Sequence, residues 1–389
     1  MNGEKIVDDN GAVHSRQGGQ GKAFRFIIAG GGTGGHIFPA IAIANALKKI
    51  DSSNEILFVG ARGKMEMEKV PQAGYKIEGL DIAGFNRSSL IKNIGLPVKL
   101  LKSFLQVRSI FKNFRPDAVI GVGGYSSFPV LRFAQAKGIA SFIHESNSFA
   151  GKSNTLLGRK AAKIFVATDG MQKFFPAQQI VVTGNPVRMD IVNGTGIGKE
   201  EAARFFGLQG DKKTVLVVGG SLGARSINEA IANGIEDLLN AGLQIIWQTG
   251  KTEATKWKEV AAGKSGVWVS DFIREMQYAY AAADIVISRA GAMAIAELCV
   301  VKKAVLFVPY PFAAEDHQTV NAQNLVQKGA ALVVKDSEAK EKVVPAIIAL
   351  ANNEELQMEL KSAIGKLAVR DADRKVAEEV LKVINNLTV

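Results

Sequence analysis

The chain has 389 residues, 47% hydrophobic and 22% charged, with a formal net charge of +11. This is the composition of a globular protein long enough for two cores, and no apolar run reaches the roughly 18 residues that cross a bilayer as a helix. The single cysteine, Cys299, excludes a disulfide framework, and the four scattered histidines, His14, His36, His144 and His317, lack metal-ligand spacing, so no metal or cofactor is expected and a reducing compartment fits best.

Residues 1–23 are polar and glycine-rich and read as a disordered leader. From there on, apolar β-branched runs alternate with helical patterns. FRFIIAG, EILFVGA, PDAVIGVG, ASFIHE, KIFVAT and QIVVTGN form a first set, and TVLVVGG, LQIIWQTG, VWVSDF, DIVISR, AVLFVPY and ALVVK a second. Such alternation predicts βαβ units and parallel sheets covered on both faces, hence an α/β chain with two doubly wound domains. The join is expected at TGNPVR, 183–188, where glycine, asparagine and proline interrupt both periodicities. That gives a first domain over 24–184, a second over 185–370 and a closing helix over 371–389 that packs back on the first. Ligands of open α/β sheets bind beyond the carboxyl ends of the strands, so two facing sheets make a cleft.

Within the first set, residues 85–116 carry Arg87, Lys92, Lys99, Lys102, Arg108, Lys112 and Arg115 without one acidic residue. Apolar Leu90, Ile91, Ile94, Leu101, Phe104, Leu105 and Phe111 interleave with them. A basic, partly amphipathic surface of this kind suits an acidic partner: an anionic membrane, a phosphorylated substrate or nucleic acid. Aromatic residues total only 7%, and those of this segment are phenylalanines at helical spacing, so nucleic acid is set aside.

Glycine turns at 30–35, 121–124, 219–223 and 291 each follow a predicted strand and precede or approach a helix. Glycine lets the backbone approach closely and a helix N-terminus offers unpaired N–H groups, so phosphate is the natural guest. Gly30, Gly32 and Gly35 match the dinucleotide fingerprint, yet the second strand ends at Gly60, Ala61 and Arg62, with no acidic residue for a ribose. Arg62 keeps an NADP-dependent oxidoreductase open as the alternative. No P-loop occurs. In ISRAGAMAIAE, 287–297, an arginine, a glycine turn, a helix start and Glu297 together suit a diphosphate and vicinal ribose hydroxyls without a metal.

The ordered set GGTGGH (31–36), GVGGYSSFP (121–129), HESN (144–147), GNPVR (184–188), GGSLGA (219–224), SRAGAMAIAE (288–297) and HQTVNA (317–322) resembles the MurG family of peptidoglycan glycosyltransferases over about residues 24–389. The resemblance implies a GT-B fold, two Rossmann-like domains facing a central cleft. It implies an inverting, β-1,4 transfer of N-acetylglucosamine from UDP-N-acetylglucosamine to the muramic acid C4 hydroxyl of lipid I, making lipid II. By it Arg188, Ser221, Ala292, Met293 and Ala294 hold the diphosphate, Glu297 the ribose and the backbone of Ile273 the uracil. Asn147 and Gln318 contact the donor sugar, with His317 a further substrate-binding position; Thr33, Gly34 and Gly35 close the cleft near the donor phosphate and the acceptor pyrophosphate, and Tyr125 lies close to the reaction. His36, with Asn147 and Asn321 beside it, lies at the reaction, and an imidazole suits a general base at neutral pH; His144 and Glu145 are the alternatives. Peripheral docking on the cytoplasmic face of a bacterial membrane through residues 85–116 follows, with other cell-wall synthesis proteins as neighbours. The sequence departs from the family pattern at Phe128, Ser146 and Ala294, the last leaving only a backbone N–H for phosphate.

Overall fold

The structure, a computed structural model, describes residues 23–84, 95–313 and 316–388, together with two short strands, Ile6–Val7 and Val13–His14, that pair antiparallel. The leader expected to be disordered otherwise lies outside the described residues, as do Arg87, Leu90, Ile91, Lys92 and Ile94 of the basic segment.

Two all-parallel sheets carry the chain. The first has seven strands, in the spatial order Lys76–Leu80, Glu55–Ala61, Arg25–Ala29, Ala118–Gly121, Ala140–Glu145, Lys163–Val166 and Ile180–Val182. The second has six: Val267–Ser270, Gln244–Gln248, Thr214–Val218, Ile285–Ser288, Ala304–Phe307 and Leu332–Val333. All twelve predicted runs are strands in these sheets. Lys76–Leu80 was not foreseen, because as an edge strand it alternates exposed Lys76 and Glu78 with partly buried Ile77 and Gly79, and its apolar signal is weak.

Central strands such as Ala118–Gly121 and Ile285–Ser288 are buried along their whole length, as expected where helices cover both faces. On the first sheet, Ile37, Ala40, Ile43 and Leu47 of the helix Gly34–Ile50 pack on Phe26 and Ile28. Val376, Ala377, Val380 and Ile384 of the helix Ala372–Thr388 join that same cluster, so the last helix rests on the first domain. The chain crosses between domains twice at one place. Gly184, at φ +77°, lies where a Cβ would stand 2.8 Å from the Cβ of Val369 on the returning segment between the last two helices.

In both sheets the strand order reverses between the first strand and its neighbour, Arg25–Ala29 beside Ala118–Gly121 and Thr214–Val218 beside Ile285–Ser288. These switch points are where an open α/β sheet opens a crevice. All the predicted glycine turns emerge there, on facing edges of the two domains.

Candidate active site between the two domains

The first-domain wall is built from two interlocked glycine turns. Gly31 N–H donates to Gly123 O at 3.3 Å, and a Cβ on Gly124 would stand 2.5 Å from Gly31 O. Thr33 caps the helix Gly34–Ile50 with its backbone only: its carbonyl accepts from the amides of His36 and Ile37. Gly34 and Gly35 form the first turn, free of acidic residues. Tyr125 leans over the turn from the other side, its ring against Gly84 and near Gly32.

His36, in that first turn, sets its Nδ1 3.1 Å from Gly31 O. A carbonyl only accepts, so the contact fixes the ring proton on Nδ1 and leaves Nε2 as the basic nitrogen. Gly123, at φ +97°, makes room for the ring: a Cβ there would stand 2.7 Å from His36 Nε2. Desolvation lowers the His36 pKa, while the Gly31 contact and the charges of Glu145 and Glu66 oppose that fall. The ring is therefore neutral at neutral pH and ready to accept a proton.

The alternatives for that role are otherwise engaged. Glu145 is 4% exposed and accepts from the backbone and side-chain amides of Asn147 at 3.1 and 3.3 Å, from Gly151 N–H at 3.2 Å and from Asn154 Nδ2 at 2.8 Å. Its lone pairs are spent shaping the loop. His144 is fully buried, and desolvation drives its pKa down to about 4. Ser146 sits beneath the site, its Oγ 3.4 Å from His144 Nδ1. Phe128 packs partly buried against the first-domain core.

Asn147 and Asn321 meet across the domain boundary. Asn321 is 3% exposed, its Oδ1 takes Ser148 N–H at 3.1 Å, and its Nδ2 reaches Ala290 O at 3.2 Å and Asn147 Oδ1 at 3.4 Å. Both amides are thus bridging elements that tie the HESN loop to the second domain. Asn185, in the join, does the same, its Nδ2 donating to Ser146 O at 3.0 Å and Ala292 O at 3.4 Å. His317 opens the helix His317–Val326 near enough to His36 to oppose its protonation, and Gln318 accepts from Tyr310 N–H at 3.0 Å.

On the second-domain wall the helix Ala292–Val301 begins at Gly291 with no side-chain cap and no acidic residue in its first turn. The amides of Ala292, Met293 and Ala294 therefore present a bare helix N-terminus, a ready anion seat. Ser221 lies exposed on the turn 219–223. That turn is held by close packing, since a Cβ on Gly223 would stand 2.2 Å from Thr249 O. Ile273 is buried in the core behind the strand Val267–Ser270. Glu297 accepts from Arg188 Nε at 3.1 Å and from Tyr280 Oη–H at 2.9 Å. Burial pushes its carboxyl above the usual carboxylate range, against the pull of Arg188.

Arg289, the arginine of the 287–297 segment, is engaged within its own domain. It donates to Val308 O at 2.9 Å and Pro309 O at 3.2 Å and pairs with Asp336. Local sequence suggested a phosphate ligand there, but the carbonyls of Val308 and Pro309 and the carboxylate of Asp336 hold its side chain inside the domain. Arg62 likewise pairs with Asp81 at 2.9 Å. The amide of Gly32, which a dinucleotide pyrophosphate would need, donates instead to Glu66 Oε2 at 2.8 Å. An internal carboxylate in the anion seat rules against the NADP-dependent oxidoreductase. Glu66 itself was missed: in sequence it is an ordinary first-turn acid of a short helix.

Among the described residues no group of three or more His, Cys, Asp or Glu is arranged to hold a metal, and no helix is long and apolar enough to cross a membrane. Helix Leu96–Phe114 exposes Val98, Leu101 and Leu105, with Lys99 and Lys102 between them.

Comparison with known proteins agrees with this geometry. Residues 26–166 match the glycosyltransferase family 28 N-terminal domain and residues 214–376 the family's C-terminal domain. The UDP-N-acetylglucosamine–N-acetylmuramyl-(pentapeptide) pyrophosphoryl-undecaprenol N-acetylglucosamine transferase of Parabacteroides distasonis is 50% identical, over 94% of this chain and 99% of its own. The enzyme of the same name from Cytophaga hutchinsonii is 48% identical over 94% and 98%. Among solved structures, MurG of Acinetobacter baumannii superposes with a TM-score of 0.74 at 29% identity, covering 92% of this chain and 99% of that one.

Proposed function

The chain belongs to glycosyltransferase family 28, with the two-domain GT-B fold, and on that footing we propose that it transfers N-acetylglucosamine from UDP-N-acetylglucosamine to lipid I, forming lipid II. The enzyme is a hexosyltransferase, and the transfer inverts the anomeric carbon to a β-1,4 linkage. The observation that carries this reading is the pairing of a bare helix N-terminus, Ala292–Ala294 with Arg188 and Glu297 beside it, with a neutral histidine on the facing domain.

In this reading the diphosphate is held by the amides of Ala292, Met293 and Ala294, by Ser221 and by Arg188. The ribose hydroxyls donate to the oxygens of Glu297, and the uracil meets the backbone of Ile273. Asn147, His317 and Gln318 contact the sugar; Thr33, Gly34, Gly35 and Tyr125 line the acceptor side. The C4 hydroxyl of the muramic acid attacks the anomeric carbon as its proton passes to His36 Nε2. The bond to UDP breaks, and the charge that develops on its phosphate is stabilised by the helix N-terminus and Arg188. Asn321 and Asn147 hold the domains at the separation the reaction needs.

An acceptor on a polyprenyl chain stays in the bilayer. Helix Leu96–Phe114, with exposed Val98, Leu101 and Leu105 among basic residues, supports docking on an anionic cytoplasmic surface. Titration calorimetry with UDP, UDP-N-acetylglucosamine and NADPH tests the nucleotide assignment: heat with the two uridine nucleotides and none with NADPH is expected, and the reverse pattern overturns it.

A further inference from the structure

The peptide unit between Gly31 and Gly32 has a side chain on each of its polar ends. Its carbonyl accepts from His36 Nδ1 at 3.1 Å, and its N–H donates to Glu66 Oε2 at 2.8 Å. The other oxygen of Glu66 takes the amide of Ala61 at 3.0 Å. Glu66 is 1% exposed, and the surrounding backbone is shaped around it. A Cβ on Gly31 would stand 2.3 Å from the carboxyl, and one on Gly60 would stand 2.5 Å from its Cγ.

We propose that Glu66 is a positioning residue for His36, acting through the 31–32 peptide: carboxylate, amide and imidazole form one hydrogen-bonded chain that fixes the ring proton on Nδ1 and presents Nε2 to the acceptor hydroxyl. The inference rests on the reading of His36 as the base. A carboxylate on the N–H polarises the amide and strengthens its carbonyl as an acceptor. When Nε2 takes the hydroxyl proton, the Nδ1–H bond to Gly31 O strengthens, and the fixed negative charge of Glu66 steadies the imidazolium. Glu66 neither gains nor loses a proton in the step. The logic is that of the carboxylate that orients a catalytic histidine in hydrolase triads, with one peptide group inserted.

The charge of Glu66 acts in the same direction as its hydrogen bond. Of the groups around His36, Glu145 from the strand Ala140–Glu145 and, more weakly, Glu66 from the helix Glu66–Gln72 favour the charged ring. His317 opposes it from the second domain, and buried His144 lies near enough to interact. The Tyr125 phenol, raised by burial and by Glu66, stays neutral. Removing the Glu66 charge therefore lowers the His36 pKa and weakens the base.

Glu66→Gln tests this, because the amide keeps the shape but turns an N–H toward a backbone donor. Nitrogen-15 NMR of the wild-type protein is expected to find the neutral His36 proton on Nδ1, and the His36 pKa is expected to fall in the variant. Transfer kcat should drop about tenfold to hundredfold, with the KM for UDP-N-acetylglucosamine held within about twofold. The acid limb of the kcat profile should move to lower pH. Glu66→Asp retains the charge at shorter reach and should keep the acid limb near the wild-type position while losing part of kcat. If Glu66→Gln does not fold, the tautomer in the wild type and the acid limb of Glu66→Asp decide. A proton on Nε2, or a Glu66→Gln protein whose His36 pKa and acid limb do not move, overturns the proposal. A wild-type protein with the Nδ1 tautomer and no transfer would count against the functional reading instead.

Discussion

Arg188 of the second domain sets its guanidinium 5.2 Å from the ring centroid of Phe38, on the first-domain helix that carries His36. The same guanidinium donates through Nε to Glu297 at 3.1 Å. One arginine thus joins the carboxylate assigned to the ribose to the helix assigned to the base, and its removal should be felt on both sides. Arg188→Met should weaken UDP binding about tenfold or more and cost roughly 1–3 kcal/mol of stability, because Glu297 is left buried with only Tyr280. Calorimetry and chemical denaturation check the two effects. Adding Glu297→Gln should return part of the stability and none of the affinity.

His36→Ala should lower kcat about 10²- to 10⁴-fold with the fold intact and UDP affinity unchanged. Turnover within a few-fold of wild type would remove His36 as the base.

Gly123 gives a subtler probe of the same ring. At φ +97°, and with its would-be Cβ 2.7 Å from His36 Nε2, Gly123→Ala should displace the imidazole. A loss of kcat of about tenfold or more, with UDP binding retained, is the expected result in steady-state kinetics.

Stability should fall in acid partly through His144. Its folded pKa of about 4 lies below the ordinary histidine value of 6.5, and desolvation is the main cause. The unfolded chain binds the proton first as pH drops, so the contribution is whole above pH 6.5 and is lost progressively down to about pH 4. The slope for this one group is roughly 1 kcal/mol per pH unit. Denaturation midpoints of the wild type and His144→Gln across that range should converge toward low pH; parallel curves would contradict the assignment.

Leu101 and Leu105 are 66% and 61% exposed on the helix Leu96–Phe114. Replacing both with glutamate, or reversing the charge of Lys99 and Lys102, should weaken sedimentation with phosphatidylglycerol vesicles about tenfold and leave UDP affinity unchanged. Unchanged vesicle binding would remove this helix from the docking surface.

Which parts of this architecture are legible in the sequence follows from how local each signal is. The strand at 285–288 is readable as DIVISR because full burial demands a continuous apolar run, and the glycine turn after it announces a helix start. Lys76–Leu80 hides because an edge strand keeps polar residues on its open side. Arg188 and Arg289 look alike as arginines beside turns, yet one faces the cleft and the other binds the carbonyls of Val308 and Pro309. What separates them is which partners the fold brings to each: Phe38 and Glu297 to Arg188, the 308–309 carbonyls and Asp336 to Arg289. Glu66 was hidden for a further reason. Its partners, Gly32 on a turn and Ala61 at the end of the strand Glu55–Ala61, belong to separate elements, and nothing near it in sequence marks a buried carboxylate.

The most direct test of the account is a transfer assay with radiolabelled UDP-N-acetylglucosamine and a short-chain lipid I analogue, run with and without EDTA. The account predicts a labelled lipid-linked β-1,4 disaccharide in both, as a helix N-terminus and Arg188 suffice to stabilise the departing UDP. Absence of that product, with UDP-N-acetylglucosamine still bound by the protein, would contradict it.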